Sequence, residues 1–141
     1  MGNWNRPVGL NHVGAYQVSG APWASGSIDC KMASRPGGFE VVFPYVTRWI
    51  KVINKDIESG NVCKVAFSLT GMTGSAQNYF TVSEAAAGWG YGDSGELEMK
   101  VSSIWISGST NVDVVAGLTS IEAFRTQTPT GSSWSGSSGV S

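Results

Sequence analysis

The stretch TRWIKVIN, residues 47–54, carries the clearest β-strand pattern in the sequence. It is rich in β-branched and aromatic residues, which suit a pleated surface. Ile50 and Val52 share one face of such a strand, whereas Trp49 and Ile53 share the other. A strand that is apolar on both faces is covered on both, by a second layer or by a partner. The stretch therefore predicts a layered β-protein.

Similar short segments lie on both sides of it. They are residues 27–32, 39–43, 63–67, 78–82, 96–101, 104–106, 112–116 and 118–124. About eight or nine strands at roughly ten-residue spacing, without a convincing helix, are typical of a sandwich or jelly roll. The fold class predicted is all-β: a single-domain antiparallel β-sandwich or jelly roll.

The alternation of apolar and polar residues changes phase between the segments 96–101 and 104–106. Leu97 and Val101 alternate with charged residues, but Ile104 and Ile106 continue the apolar row one residue out of step. A bulge at residues 102–103 would return both rows to the same face. We therefore expect both rows to face the core.

The body is predicted to span residues 27–125. Residues 1–26, rich in Asn, Gly, Pro and Trp, are interpreted as an extended N-terminal arm with a short strand at 15–18. Residues 126–141 are Gly/Ser-rich, with only Trp134 and Val140 apolar, and are predicted to be a flexible C-terminal tail. The beginning of the sequence lacks the basic and apolar regions of a signal peptide.

Composition argues against several classes of partner. Charged residues make up 13% of the 141 residues and the net charge is −1, so no strong field favours nucleic acid or an anionic membrane. No run approaches the roughly 20 apolar residues of a membrane span. The 19 glycines suit tight turns between strands better than helices.

Two enzyme-like motifs overlap at residues 90–95, GYGDSG. The dinucleotide fingerprint G-x-G-x-x-G requires a following helix, but residues 96–101 have a strand pattern. The GDSG core of chymotrypsin-like proteases requires a histidine base, and His12, the only histidine, lies in the arm. We expect a glycine-rich hairpin or loop here rather than a catalytic site.

The acidic residues also lack a catalytic or metal-binding pattern. Glu96 and Glu98 stand side by side with Lys100, as on the solvated face of an amphipathic strand. The loop carboxylates show no calcium-loop spacing; they are Asp29, Asp56, Asp93, Glu96 and Asp113. Cys30 and Cys63 are interpreted as small buried residues. We expect no catalytic residue, cofactor or metal site.

The six tryptophans are the remaining candidates for function. Large rigid side chains outside a core anchor protein interfaces or stack on sugars. Four are interface candidates: Trp4, Trp23, Trp49 and Trp134. Trp89 and Tyr91 form an alternative stacking platform for a glycan.

Three runs together carry a resemblance: FPYVTRWIKVIN at 43–54, CKVAFS at 63–68 and GELEMKV at 95–101. They resemble small β-structured virion proteins that decorate the capsids or tails of tailed bacteriophages. The resemblance implies a non-enzymatic structural (cement) protein with arms that clamp neighbouring subunits. It further implies a homotrimer or similar ring, binding to virion proteins such as the major capsid protein, and a place in the virion after assembly in the host cytoplasm. The alternatives are a β-sandwich module that binds a glycan or host receptor, and an accessory domain of an enzyme.

Overall fold

The structure, a computed structural model, describes residues 9–11, 13–14, 20–31, 37–86 and 90–141. Within these residues the chain forms eight β-strands: β1 (Ala21–Ile28), β2 (Phe39–Val42), β3 (Tyr45–Asn54), β4 (Cys63–Ala66), β5 (Tyr79–Val82), β6 (Gly92–Asp93), β7 (Ser103–Ser107) and β8 (Val112–Glu122). They make two four-stranded antiparallel sheets. The strand order is β1-β8-β3-β6 in sheet A and β2-β7-β4-β5 in sheet B.

This strand order is that of a jelly roll. The strands pair as if one long hairpin had been rolled up, β1 with β8 and β3 with β6 in one sheet, and β2 with β7 and β4 with β5 in the other. Eight strands in two sheets linked in this way define the jelly-roll architecture. The predicted all-β sandwich is therefore confirmed.

The core lies between the two inner faces. Ile50 and Val52 on β3 meet Ile104 and Ile106 on β7, and all four are fully buried. Fully burying one such side chain stabilises the fold by about 1.5–3 kcal/mol. The inner half of the pattern at 47–54 thus accounts for the packing of the two sheets.

The outer half of that pattern faces away from the core. Trp49 and Ile53 are half-buried on the outer face of sheet A. The Trp49 indole lies against Gly117 of β8, where an added Cβ would overlap the ring. A residue without a side chain is therefore required at position 117.

The phase change after residue 101 marks a passage between the sheets. Leu97 exchanges two backbone hydrogen bonds with Ile50 of sheet A, at 2.8 and 2.9 Å. Six residues later, at Ser103, the chain enters β7 of sheet B, and Val101, Ile104 and Ile106 are all buried. Both apolar rows lie in or against the core because the chain changes sheet, so the bulge predicted at residues 102–103 is wrong.

Residues 96–101 do not form the regular strand that their alternation predicts. The bridge of Leu97 with Ile50 is isolated. Beyond it, the hydroxyl of Thr47 donates to the carbonyl of Met99 at 2.8 Å and accepts from the N–H of Val101 at 3.2 Å. A side chain therefore takes the place of part of the backbone ladder beside β3.

Other boundaries also differ from the sequence pattern. Strand β1 begins at Ala21, so that residues 21–26 of the predicted arm belong to sheet A, and it ends at Ile28. The two strands predicted at 112–116 and 118–124 are the single strand β8, followed by a 3-10 turn at Ala123–Thr126. The strand predicted at 15–18 lies outside the described residues.

A short helix, α1 (Leu69–Thr73), lies between β4 and β5. The hydroxyl of Ser68 caps it by accepting from the N–H of Gly71 at 3.0 Å. In the described parts of the chain, no helix has the length and apolar character needed to cross a membrane.

Candidate functional site

The GDSG sequence comprises strand β6 and the two residues after it, and its polar groups are engaged within the fold. The N–H of Ser94 donates to the carbonyl of Val52, and its hydroxyl accepts from the N–H of Val52 at 2.9 Å. Asp93 accepts from the N–H of Gly95 at 2.7 Å and pairs with Lys51 at 3.0 Å. The Gly95 and Lys51 bonds lower the pKa of Asp93. Ser94 thus continues the edge of sheet A beyond β6.

A polar cluster joins the loops at one end of the sandwich, and we call it the polar clasp: the buried residues Asn54, Asp56, Asn61 and Ser109, and the exposed Thr110. Asp56 is 6% exposed. It accepts from the N–H of Glu58, from the amide of Asn61, and from both the N–H and the hydroxyl of Thr110, at 2.7–3.0 Å. The clasp therefore ties the β3–β4 loop to the β7–β8 turn.

The electrostatics of the clasp follow from these bonds. Burial by itself would raise the pKa of Asp56, but the four donors around it outweigh burial and hold the pKa well below its usual range. Asn54 extends the cluster by accepting from Ser109 at 2.7 Å and donating to the carbonyl of Asn61 at 3.0 Å. The carboxylate is therefore ionised and fully engaged, which is what a structural tie requires.

The other acidic loop residues lie apart from the clasp. Asp113 pairs with Lys55 at 3.1 Å and accepts from the N–H of Ser27, while Asp29 accepts from the N–H of Lys31. Glu96, Glu98 and Lys100 are exposed. Among the described residues, no three His, Cys, Asp or Glu side chains gather as metal ligands would. His12 lies outside them.

The two cysteines are buried and adjacent. Both are fully inaccessible to solvent, and the Cys30 thiol donates to the carbonyl of Ser109 at 3.1 Å. The hydrogen bond between the two thiols, together with burial, raises the pKa of Cys63. The thiols therefore extend the apolar core beside the polar clasp.

The predicted tryptophan sites fall into different environments. Trp23 packs edge-on against Phe43 in the core, with ring centroids 4.9 Å apart. Trp49 lies on the outer face of sheet A, and Trp134 packs partly against the core from outside sheet B. Trp4 and Trp89 lie outside the described residues. Tyr91 is 64% exposed.

Residues 127–141, which we call the strap, lie against the end of sheet B where β4 ends and β7 begins. The hydroxyl of Ser133 donates to the carbonyl of Ser103 at 2.8 Å and accepts from its N–H at 3.3 Å. The Trp134 indole N–H donates to the carbonyl of Lys100. The expected flexible tail is instead seated on the body, because hydroxyl groups make the contacts that apolar side chains usually supply.

A group of exposed apolar side chains occurs at the corner where β2 leads into β3. Val42 is 62% exposed, Tyr45 46% and Phe124 54%. Tyr45 lies opposite Glu122, two residues before Phe124, and the exposed Pro44 links β2 to β3. We call these four apolar residues, Val42, Pro44, Tyr45 and Phe124, the end patch.

Sequence reasoning missed the end patch. Within the strand 39–43, Val42 shares a face with Glu40, and this alternation alone indicates that Val42 points to solvent. Phe124 carried no such signal, because its exposure depends on the 3-10 turn that follows β8.

Comparisons with known proteins identify no relative of this chain. No family model, curated protein or solved structure matches the chain.

Proposed function

We propose that this chain is a non-enzymatic structural protein of a tailed-bacteriophage virion. It assembles as a symmetric oligomer, a homotrimer or similar ring, and binds capsid or tail proteins such as the major capsid protein. It resides in the virion after assembly in the host cytoplasm. The resemblance of residues 43–54, 63–68 and 95–101 supports this class. A jelly roll is compatible with it, since capsid proteins use that architecture, although fold alone does not define function.

The observation that carries the proposal is the end patch. Single exposed apolar residues are normal, but several brought together from two segments, as the pairing of Tyr45 with Glu122 does here, mark an interaction surface. Tyr45 and Phe124 provide aromatic area at little cost in side-chain entropy, and aromatic residues are enriched in protein interfaces. The Arg125 guanidinium lies 4.8 Å from the Phe124 ring centroid, and arginine is likewise typical of such surfaces.

The test is the oligomeric state of a doubly substituted protein. Tyr45→Ser with Phe124→Ser should convert an oligomer to a monomer in sedimentation velocity, with an unchanged circular dichroism spectrum. Ile57→Ser with Tyr91→Ser is the matched control, because these two residues are 69% and 64% exposed but lie elsewhere. The control should assemble as the wild type does. A wild-type protein that stays monomeric up to its solubility limit would overturn the proposal.

Binding to capsids is the second part of the test. The wild-type protein should co-sediment with empty phage capsids or tails, and the double variant should be released from them. A wild-type oligomer that binds neither structure would contradict the virion assignment while leaving self-assembly intact.

Glycan binding is the second candidate function, and a groove on sheet B favours it. The groove measures about 170 Å³ and combines an indole, a carboxylate and hydroxyl groups from Trp105, Glu40, Ser132 and Ser135. An aromatic face beside polar groups suits a sugar ring. The test is a glycan array with the wild type, Trp105→Ala and Tyr91→Ala. Dose-dependent binding lost in Trp105→Ala assigns the groove, loss in Tyr91→Ala assigns the sequence-predicted platform, and no binding refutes this candidate.

A further inference from the structure

The strap is held by residues far away in the sequence. The hydroxyl of Ser68 lies 2.6 Å from the carbonyl oxygen of Val140 and 2.9 Å from that of Ser141. The amide of Asn78 donates to the hydroxyl of Ser141 at 2.8 Å. Together with the bonds of Ser133 and Trp134 described above, these contacts attach the strap to the body at two places, in its middle and at Val140–Ser141. All of these partners belong to the body.

An apolar pocket backs the polar attachments. It measures about 340 Å³ and lies between the strap and the body, lined by Phe67, Met99, Lys100, Val101, Trp134 and Val140. Trp134 and Val140 are the only strongly apolar side chains of the strap, and both line this pocket. The strap therefore presents its two apolar residues to the surface that accepts them.

The backbone of the strap is in an unfavourable conformation where it contacts the body. Ser133 and Trp134 have φ angles of 54° and 65°, in the left-handed region that residues with a Cβ rarely adopt. Two successive residues of this kind are unfavourable in an isolated segment. Their contacts with Ser103 and Lys100 supply the compensation. The body thus stabilises this unfavourable conformation of the strap.

A tight turn directs the strap back onto its own body. Thr126 is fully buried and shares a 2.7 Å hydrogen bond with Ser102, which fixes the start of the segment. Thr128 and Gly131 then exchange backbone hydrogen bonds at 2.7 and 3.1 Å around Pro129. Opening this turn breaks the hydrogen bonds inside it and few others. The remaining bonds of the strap can form with the body of the same molecule or of another one.

We propose that straps are exchanged between neighbouring subunits. Residues 132–141 of one copy then occupy the strap groove of a second copy, which is the surface around Ser68, Asn78, Lys100 and Ser103. This inference rests on the proposed function, because exchange requires that copies of the chain assemble. The occupant is a second copy because the groove fits this sequence, and an identical strap makes the same bonds with Ser68, Asn78, Lys100 and Ser103. Exchange of an identical element costs little beyond the opening of its hinge.

The hinge sets a geometric limit on exchange. Residues 127–131, once extended, span about 17 Å, at roughly 3.3–3.6 Å per residue. The two grooves must therefore lie on subunits that touch. Assembly through the end patch would satisfy this condition, because tethering raises the effective concentration of each strap near its neighbour's groove.

The test uses two variants that each add one accessible cysteine, Asn78→Cys and Ser141→Cys, with different tags, co-expressed and treated under native conditions with a short thiol–thiol cross-linker; Cys30 and Cys63 are buried. Exchange predicts a covalent dimer carrying both tags. The double variant Asn78→Cys with Ser141→Cys, in one chain, shows that the two sites are within reach of the cross-linker. Co-expressed Lys64→Cys and Thr81→Cys form the control pair, because these residues face each other within sheet B of one subunit and should give no mixed dimer.

Sedimentation of the same samples separates the possible failures. Oligomers without a mixed dimer, combined with an intrachain link in the double variant, overturn strap exchange and leave assembly standing. Monomers that contain only the intrachain link overturn both proposals. A mixed dimer in a protein that does not bind capsids or tails supports exchange and contradicts the virion assignment.

Discussion

Replacing Asp56 by Asn removes the charge at the centre of the polar clasp while keeping its shape. Asp56 accepts four hydrogen bonds at 2.7–3.0 Å. An asparagine amide has one acceptor oxygen, so at least the bond from the Glu58 N–H becomes a contact between two donors. A hydrogen bond to a charged group is worth about 1.5–3 kcal/mol, compared with about 1 kcal/mol for a neutral pair. Loss of one such bond, at about 1.5 kcal/mol or more, and weakening of three others, at about 0.5 kcal/mol or more each, predict destabilisation by at least about 3 kcal/mol.

The measurement is urea unfolding at pH 7, followed by tryptophan fluorescence and analysed by linear extrapolation. Asp113→Asn is the matched control, since its ion pair with Lys55 is partly exposed and should contribute under about 1 kcal/mol. A loss in Asp56→Asn no larger than that of the control would refute the role of the clasp.

The pH dependence provides a second, independent check. The pKa of Asp56 is lower in the folded protein than in the unfolded chain, where it is about 3.9. Its stabilisation is therefore complete well above pH 4 and is lost as the pH falls below about 4 towards the folded-state pKa. The difference in unfolding free energy between wild type and Asp56→Asn should be constant from about pH 6 to 8 and should shrink in acid. A difference that does not change in acid would contradict this reasoning.

Three further predictions concern the core and sheet A. Gly117→Ala should destabilise the protein by about 1–3 kcal/mol in urea unfolding, because the new Cβ overlaps the Trp49 indole, and adding Trp49→Ala should recover part of the loss. Ile104→Ala should cost about 2–5 kcal/mol in the same assay, since the side chain is fully buried between the sheets, whereas a cost under 1 kcal/mol would show a looser core. Cys30 and Cys63 should resist alkylation in the native protein and react fully in urea, as measured by intact mass; rapid native labelling would show that the thiols are accessible.

Most strands could be predicted from alternation, because each has one face in the core. The segment 47–54 is the clearest case, and its two faces were assigned correctly from residue type alone. Pairing could not be predicted in this way. The register of β1 with β8 depends on contacts between distant residues, and β1 begins in a segment, APWASGSI, that lacks regular alternation.

The candidate sites were harder to predict, for different physical reasons. The polar clasp draws on two separated loops, and the sequence shows only ordinary turn formers at Asp56 and Thr110. The strap is low in apolar residues, so composition indicates disorder, yet side-chain and backbone hydrogen bonds position it. The end patch depends on the exposure of Phe124, which no periodicity reveals.

The strand order also has a consequence for how the chain folds. Every connection except that between β4 and β5 carries the chain from one sheet to the other, so neither sheet consists of consecutive strands. Sheet A forms only when Ala21 pairs with Leu118 and Asn54 pairs with Val112. Folding dominated by such distant pairings is slow, typically in the range of milliseconds to seconds. The two sheets should therefore form and melt together, as a single cooperative event.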